Sequence, residues 1–213
     1  MKPAPIDPPE IWHKLWDGFS GECGWDIGAN CGQTIPTMRE RFRQVYAFEP
    51  AKECWPFLEQ HDAVMIPIAL SDTDDDITLI ALPDKIDTGQ LVTAGTHGME
   101  WNPDLPQALT RTVPALTVDT IIEQPLPHSY SVWVPDFMKI DTEGHELRVL
   151  FGARRTLALH RPDLLVEFHT PELHDKCAAL LEQFGYHVET VRHPHYPTGS
   201  PMWWTHGWLR ARQ

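Results

Sequence analysis

The sequence predicts a doubly wound α/β domain, and three observations carry that expectation. Short apolar runs alternate with stretches of helical period along the whole length. The 213 residues suffice for one large core and barely for two small ones, so a single domain over 1–213 is expected. The first predicted strand also runs into a loop of small residues, "GWDIGANCGQT" (24–34). Sheets of this kind place ligands at such a strand end, where the strand order reverses.

The elements follow in order. Residues 1–10 hold four prolines and are expected as a loose arm, and "IWHKLWDGF" (11–19) has helical spacing, giving an arm and helix over 1–20. "CGWDIGA" (23–29) is a buried strand ending in a turn. "TIPTMRERF" (34–42) is a helix whose Pro36 fits the first turn, where no amide donor is missed. "QVYAFEP" (44–50) is a strand stopped by Pro50, "AKECWPFLEQH" (51–61) a helix, and "AVMIPIALSD" (63–72) a third strand. "DITLIALP" (76–83) alternates as a half-exposed strand does. Residues 84–112 show no clean period and exceed most loops of compact domains, which suits a lid or substrate loop. "TVPALTVDTII" (112–122) passes from extended chain into a short helix, and "DFMKID" (136–141) is a strand. "GHELRVLFGARRTLA" (144–158) reads as one amphipathic helix with Leu147, Leu150, Phe151 and Leu157 on a shared face. "PDLLVEFH" (162–169) is a strand, "HDKCAALLEQFG" (174–185) a helix, "YHVETV" (186–191) a strand, and "PMWWTHGWLRAR" (201–212) the final strand. Alternation of this kind argues for a mostly parallel sheet.

Composition narrows the partners. Seventeen basic against 30 acidic residues give a net charge of −13, and no basic stripe is visible, so nucleic acid is not expected as a partner. The four cysteines form no CxxC, no signal peptide is apparent, and no apolar run approaches the roughly 20 residues that span a bilayer. A cytoplasmic protein without a membrane span is expected. The oligomeric state is not readable.

The loop at 24–34 is glycine-rich yet unsuited to phosphate. Its pattern is Asp26, Gly28, Asn30, Gly32, so Asn30 stands where a dinucleotide loop has its second glycine, and no lysine or arginine lies within it. Glu49 follows 23 residues after Asp26, at the end of the second strand. A carboxylate there accepts the two hydroxyls of an adenosine ribose. A ligand with a ribose, an amine and a sulfonium but no phosphate fits this combination, and S-adenosylmethionine is that ligand. The plainer alternative is a tight strand-to-helix turn.

Three stretches carry a resemblance: "WDIGANCGQT" (25–34), "VYAFEP" (45–50) and "FMKIDTEGHELRVLFGA" (137–153), with support from "PDLLVEFH". In them the sequence resembles the FkbM family of S-adenosylmethionine-dependent methyltransferases, from about residue 24 to about 191. The resemblance implies a Rossmann-like class I methyltransferase sheet of seven mostly parallel strands with one antiparallel strand. It implies an O-methyltransferase acting on hydroxyls of carbohydrates, glycans or glycosylated metabolites. It places Asp26, Gly28, Asn30 and Gly32, with Thr34 after them, along the methionine and ribose of the cofactor. Glu49 holds the ribose, Ala69, Leu70 and Ser71 flank the adenine, and Asp141 stands beside the methyl group.

Methyl transfer from a sulfonium gains most from alignment. A base in reach of the acceptor hydroxyl adds roughly 10²–10⁴. The candidates are Asp141, Glu143 and His145 on the turn after the fourth strand, and His169 after the fifth. His145 also reads as an exposed first-turn residue, His169 as structural, and Glu143 as a helix N-terminal acid. Glu167, inside a strand expected to be buried, needs a partner, for which Lys139 is available. Asp141, Glu143, Glu167 and His169 could offer ligands to magnesium, but no motif has tight ligand spacing and a metal is not favoured. The histidines of the tail (His187, His193, His195, His206) lack the paired cysteines or HExxH of a zinc site. Thr88, Gln90, His97, Trp101 and Asn102 suit a glycan-facing lid. Two other readings remain: the same cofactor with a protein side chain, a ribose 2′-hydroxyl or another small molecule as acceptor, and a non-catalytic cofactor-binding module.

Overall fold

The computed structural model describes residues 15–80, 110–124, 132–192 and 206–213. The arm before residue 15 and residues 84–109 of the expected lid, with Thr88, Gln90, His97, Trp101 and Asn102, lie outside the described residues, as do His193 and His195.

Seven strands form the main sheet: β1 (Gly21–Ile27), β2 (Phe42–Phe48), β3 (Val64–Ile66), β8 (Phe137–Ile140), β9 (Asp163–Phe168), β10 (His187–Arg192) and β11 (Gly207–Arg212). Two small ladders stand beside it. β4 (Ala69–Leu70) pairs in parallel with β7 (Ala115–Leu116), and β5 (Ile77–Ile80) pairs antiparallel with β6 (Thr110–Val113). The order in the main sheet is β10-β11-β9-β8-β1-β2-β3. β11 runs antiparallel to β9 and β10, and the other neighbours are parallel. The expected seven-stranded, doubly wound sheet with one reversed strand is what forms. The chain builds outward from β1 through β2 to β3, then crosses back to β8 and β9. The order therefore reverses between β1 and β8, and the C-terminal ends of those two strands flank the natural ligand crevice.

The helices are α1 (Ile35–Arg39), α2 (Trp55–Leu58), α3 (Val118–Glu123), α4 (Glu146–Phe151), α5 (Arg154–Leu159) and α6 (Pro171–Gln183). The side-chain period of two sorts each strand. Trp25 and Ile27, Met138 and Ile140, and Leu164, Val166 and Phe168 turn into the larger core, under α4, α5 and α6. Phe137 and Leu165 turn to the other face, where they meet Leu15, Trp16, Phe19, Phe42 and Trp208. Phe137 is the hub there, with ring centroids 4.8 Å from Phe19, 5.0 Å from Phe42 and 5.4 Å from Trp16. Asp26, Lys139 and Glu167 fall on this second face, nearer the strand tips, so the sheet carries buried charge just where the crevice opens.

Several expected elements come out shorter, each for a visible reason. The helix expected over 34–42 ends at Arg39, because Phe42 opens β2 in register with Gly21. Of residues 51–61 only Trp55–Leu58 is helical. The strand expected over 63–72 breaks at Pro67. Its first half stays in the main sheet as β3, and its second half leaves to pair with β7. Residues 110–112, read as part of the irregular segment, belong to β6. The long helix over 144–158 is two helices, α4 and α5, interrupted at Gly152–Ala153. There Gly152 meets the Ser71 carbonyl so closely that a Cβ would lie 1.9 Å from its oxygen. The interruption resets the helical phase, and Phe151, expected in the apolar face, is 42 % exposed. α6 begins earlier than residue 174, at Pro171, because the Thr170 side chain accepts the amide of Leu173 at 3.1 Å and caps it.

Candidate active site

The glycine loop is shaped by backbone contacts. Gly28, at φ +76°, lies under β8, and a Cβ there would be 1.9 Å from the Asp141 carbonyl oxygen. Its amide and that of Ala29 both donate to the Phe48 carbonyl, at 3.0 and 3.1 Å. Asn30 (φ +49°) and Gly32 (φ +84°) continue the left-handed turn into α1. Asparagine tolerates this region better than most residues, which accounts for its place in the motif.

That turn aims the amide of Asn30 at Glu49. Glu49 Oε2 accepts it at 2.8 Å, and Oε1 accepts the Ala51 amide at 2.8 Å. The carboxylate is thus fixed from both sides while keeping further acceptor lone pairs towards the cleft that it lines. Burial pushes its pKa up to about 7, against the opposing pull of the two amides and of Lys139.

Lys139 ties the strand tips together. It is registered against Asp26 across β1 and β8. Its ammonium lies 3.0 Å from Asp26 Oδ1 and 3.3 Å from Asp141 Oδ2, and it donates to the Gly28 carbonyl at 3.2 Å. Burial alone would lower the lysine pKa; Asp26 and then Asp141 outweigh it and raise it, so the side chain stays charged. Asp26 is wholly enclosed and also accepts the Thr34 hydroxyl. Asp26 and Thr34 are thus joined to one another and to Lys139. They anchor Lys139 and the loop from beneath. The close ion pairs of Lys139 go to Asp26 and Asp141, and Glu167 adds its field to the same ammonium.

The turn after β8 gathers the remaining groups. His169 Nε2 lies 3.4 Å from Glu143 Oε2, 3.8 Å from Glu167 Oε1 and 4.0 Å from Asp141 Oδ1, and Nδ1 lies 3.4 Å from Glu146 Oε1. Burial alone would lower the imidazole; Glu146 first, then Glu167 and Asp141, lift it to about 10, so His169 is an imidazolium at neutral pH. Asp141 goes the other way. Burial would raise it, and Lys139 and His169 hold it below the usual carboxylate value. Glu167 is raised well above that value by burial and by Asp141. Ligand atoms of Asp141, Glu167 and His169 lie within 4.8 Å of one another.

His145 is not the exposed residue that one reading of the sequence had it. It is 7 % exposed, forms the N-cap of α4, and its Nε2 is hydrogen-bonded to Ser71 Oγ at 2.9 Å. The helix-terminal acid is not Glu143, which sits at φ +54° in the turn, but Glu146. The Glu146 carboxylate accepts the amides of Thr142 (2.9 Å) and Gly144 (3.0 and 3.1 Å).

The crevice has a cavity volume of about 70 Å³ and stands partly open to solvent. Of the residues expected at the cofactor, Gly28, Asn30, Glu49, Ala69, Leu70 and Asp141 line it, together with Glu143 and His145. Asp26, Gly32, Thr34, Ser71 and His169 stand behind that lining. The sequence missed the apolar wall from Ile68, Ile77 and Leu79. Its signal was the alternation of "DITLIALP", but nothing local tells which sheet receives β5.

Residues 26–188 match the family model described as the methyltransferase FkbM domain, the greater part of the chain and all of the crevice. The chain belongs to the FkbM methyltransferase family. It is similar to the hexuronic acid methyltransferase AglP of Haloferax volcanii, at 30 % identity over 139 residues, covering 62 % of this chain and 50 % of AglP. It is also similar in fold to the crystal structure of a methyltransferase FkbM from Methylobacillus flagellatus KT, at a TM-score of 0.52 and 18 % identity, covering 95 % of this chain and 50 % of that one. The chain thus spans about half the length of each. Among the described residues of this FkbM methyltransferase no helix is long and apolar enough to cross a membrane.

Proposed function

We propose that this FkbM methyltransferase binds S-adenosylmethionine in the crevice between β1 and β8 and transfers its methyl group to a hydroxyl of a carbohydrate, glycan or glycosylated metabolite. The observation that carries the reading is Glu49: a buried carboxylate, fixed by two amides and facing the cleft, beside a glycine loop with no cation to meet a phosphate. The residues present fit the cofactor. Glu49 suits a ribose diol, Ala69, Leu70 and Leu79 offer an apolar slot for a purine, and Asp141 and Glu143 favour a cationic sulfonium and amine. The similarity to a hexuronic acid methyltransferase supports an acceptor of carbohydrate type.

When bound, S-adenosylmethionine supplies an electrophilic methyl group on a good leaving group. The chain's own residues do the rest. Glu49 and the Gly28–Asn30 turn fix the nucleoside. Asp141, kept ionised by Lys139, would accept the proton that the acceptor hydroxyl gives up. His169 has no free lone pair at neutral pH, so it acts as a hydrogen-bond donor and counter-charge instead of the base. His145, bonded to Ser71, shapes the wall.

Two measurements test this. Titration calorimetry with S-adenosylmethionine should show one site per chain; absence of binding removes the proposal. Labelled methyl transfer into extracts, followed by mass analysis, should place label on an oxygen of a sugar-containing product. Cofactor binding without turnover on any glycan pool would favour a binding module instead.

A further inference from the structure

We propose that Glu146 is a positioning residue for methyl transfer, clamping the turn that carries Asp141 and Glu143 and orienting His169 towards both. The inference deepens the proposed function and rests on it.

Glu146 is wholly buried, at the first position of a helix of only six residues. Capping alone would not require such burial, since helix-terminal acids work in solvent. Three observations point further. The carboxylate takes two amides of one turn, Thr142 and Gly144, and so fixes the backbone on both sides of Glu143. In that turn Glu143 holds φ +54°, a conformation that a non-glycine residue keeps only with support from its surroundings. The same carboxylate then reaches the far nitrogen of the His169 ring, at 3.4 Å from Nδ1. Nε2 of the same ring lies 3.4 Å from Glu143 and 4.0 Å from Asp141, two residues that line the crevice. One buried carboxylate thus fixes the backbone of this turn and pairs with the ring that faces Asp141 and Glu143. The charged and titratable groups facing His169 come from four elements. They are Asp141 and Glu143 from the turn after β8, Glu146 from α4, Glu167 from β9, and His206 before β11, whose ring lies 5.4 Å away. Lys139 stands behind Asp141.

The test combines Glu146→Gln with a titration of His169 in the full chain. Glutamine keeps the size and an acceptor oxygen for the turn but removes the charge. In the wild type, nitrogen-15 NMR of labelled histidine should show His169 doubly protonated at pH 7.5. A neutral His169 at that pH overturns the proposal without recourse to any variant. In Glu146→Gln the midpoint should fall by about one unit or more. Transfer into the glycan fraction that the wild type labels should drop about ten- to hundredfold. The affinity for S-adenosylmethionine, read by calorimetry, should change less than about twofold, since Glu49 and the glycine loop are untouched. Glu146→Asp should recover part of the rate and of the titration. A Glu146→Gln enzyme with unchanged rate and unchanged His169 titration overturns the proposal. So does a loss of rate that merely follows a loss of cofactor affinity. Should Glu146→Gln not fold, the wild-type titration and a His169→Gln variant decide: that variant must lose rate with cofactor affinity retained, and full activity overturns the proposal. Absence of S-adenosylmethionine binding in the wild type would instead strike the proposed function, while the His169 titration still decides whether Glu146 holds the ring charged.

Discussion

Glu49 carries the most direct expectation at the scale of single residues. Replacing it with Ala should weaken S-adenosylmethionine binding by about 1.5–3 kcal/mol, the range for hydrogen bonds to a charged group. Its pKa of about 7 adds a pH dependence. A diol donates to the ionised carboxylate, so affinity should climb as pH rises through 7, and Glu49→Gln should flatten that slope; calorimetry at pH 6 to 8 reads both. In the cofactor-free chain the sign for stability is opposite. A carboxyl raised by folding favours the protonated form, so its contribution is present below the ordinary glutamate range and fades as pH climbs to about 7. Lys139 presents the other extreme. It is the shared cation of two carboxylates, and Lys139→Met leaves Asp26 buried with only Thr34. A loss of about 3–5 kcal/mol is expected in urea unfolding, because one half of a buried ion pair has been removed. Loss below about 1 kcal/mol would mean that Asp26 finds another partner.

At the scale of elements, backbone approach decides more than propensity. "GHELRVLFGARRTLA" has the period of one helix, and local preference favours one. Gly152 interrupts it because the Ser71 carbonyl occupies the space a side chain would need. Gly152→Ala should therefore destabilise the fold by about 1–3 kcal/mol through forced displacement. It should also disturb the Ser71–His145 hydrogen bond, visible as a shifted His145 resonance. Gly28→Ala faces the same obstacle against the Asp141 carbonyl, with a positive φ besides. Its expected signature is lost cofactor binding in a chain that still folds, since the loop must shift to admit the methyl. Pro67 shows the converse. A proline visible in the sequence follows β3 directly, yet the destination of the next residues was decided by β7, far along the chain.

At the scale of the whole molecule, the crevice exists because the strand order reverses between β1 and β8. Cofactor binding at that seam should stabilise the entire fold. At S-adenosylmethionine concentrations 100-fold above Kd, about 2.7 kcal/mol is expected, or roughly 5–10 °C in Tm. A thermal scan with and without cofactor checks it, and an unchanged Tm would contradict binding at the seam.

The sequence by itself determined the alternation of strands and helices, the glycine turn, the acid at the end of β2 and the acid at the end of β8. Each is a local matter: a period, a backbone conformation, or a short spacing along one strand. Only the tertiary structure decided which carboxylates face the cleft and which face a lysine. Asp26 and Glu49 look equivalent along the chain, yet Asp26 is wholly enclosed beneath Lys139 while Glu49 lines the crevice. The protonation of His169 and the task of Glu146 were hidden for the same reason. A buried charge takes its state from neighbours that arrive on other strands, and those neighbours are fixed by sheet order, which no local stretch of sequence contains.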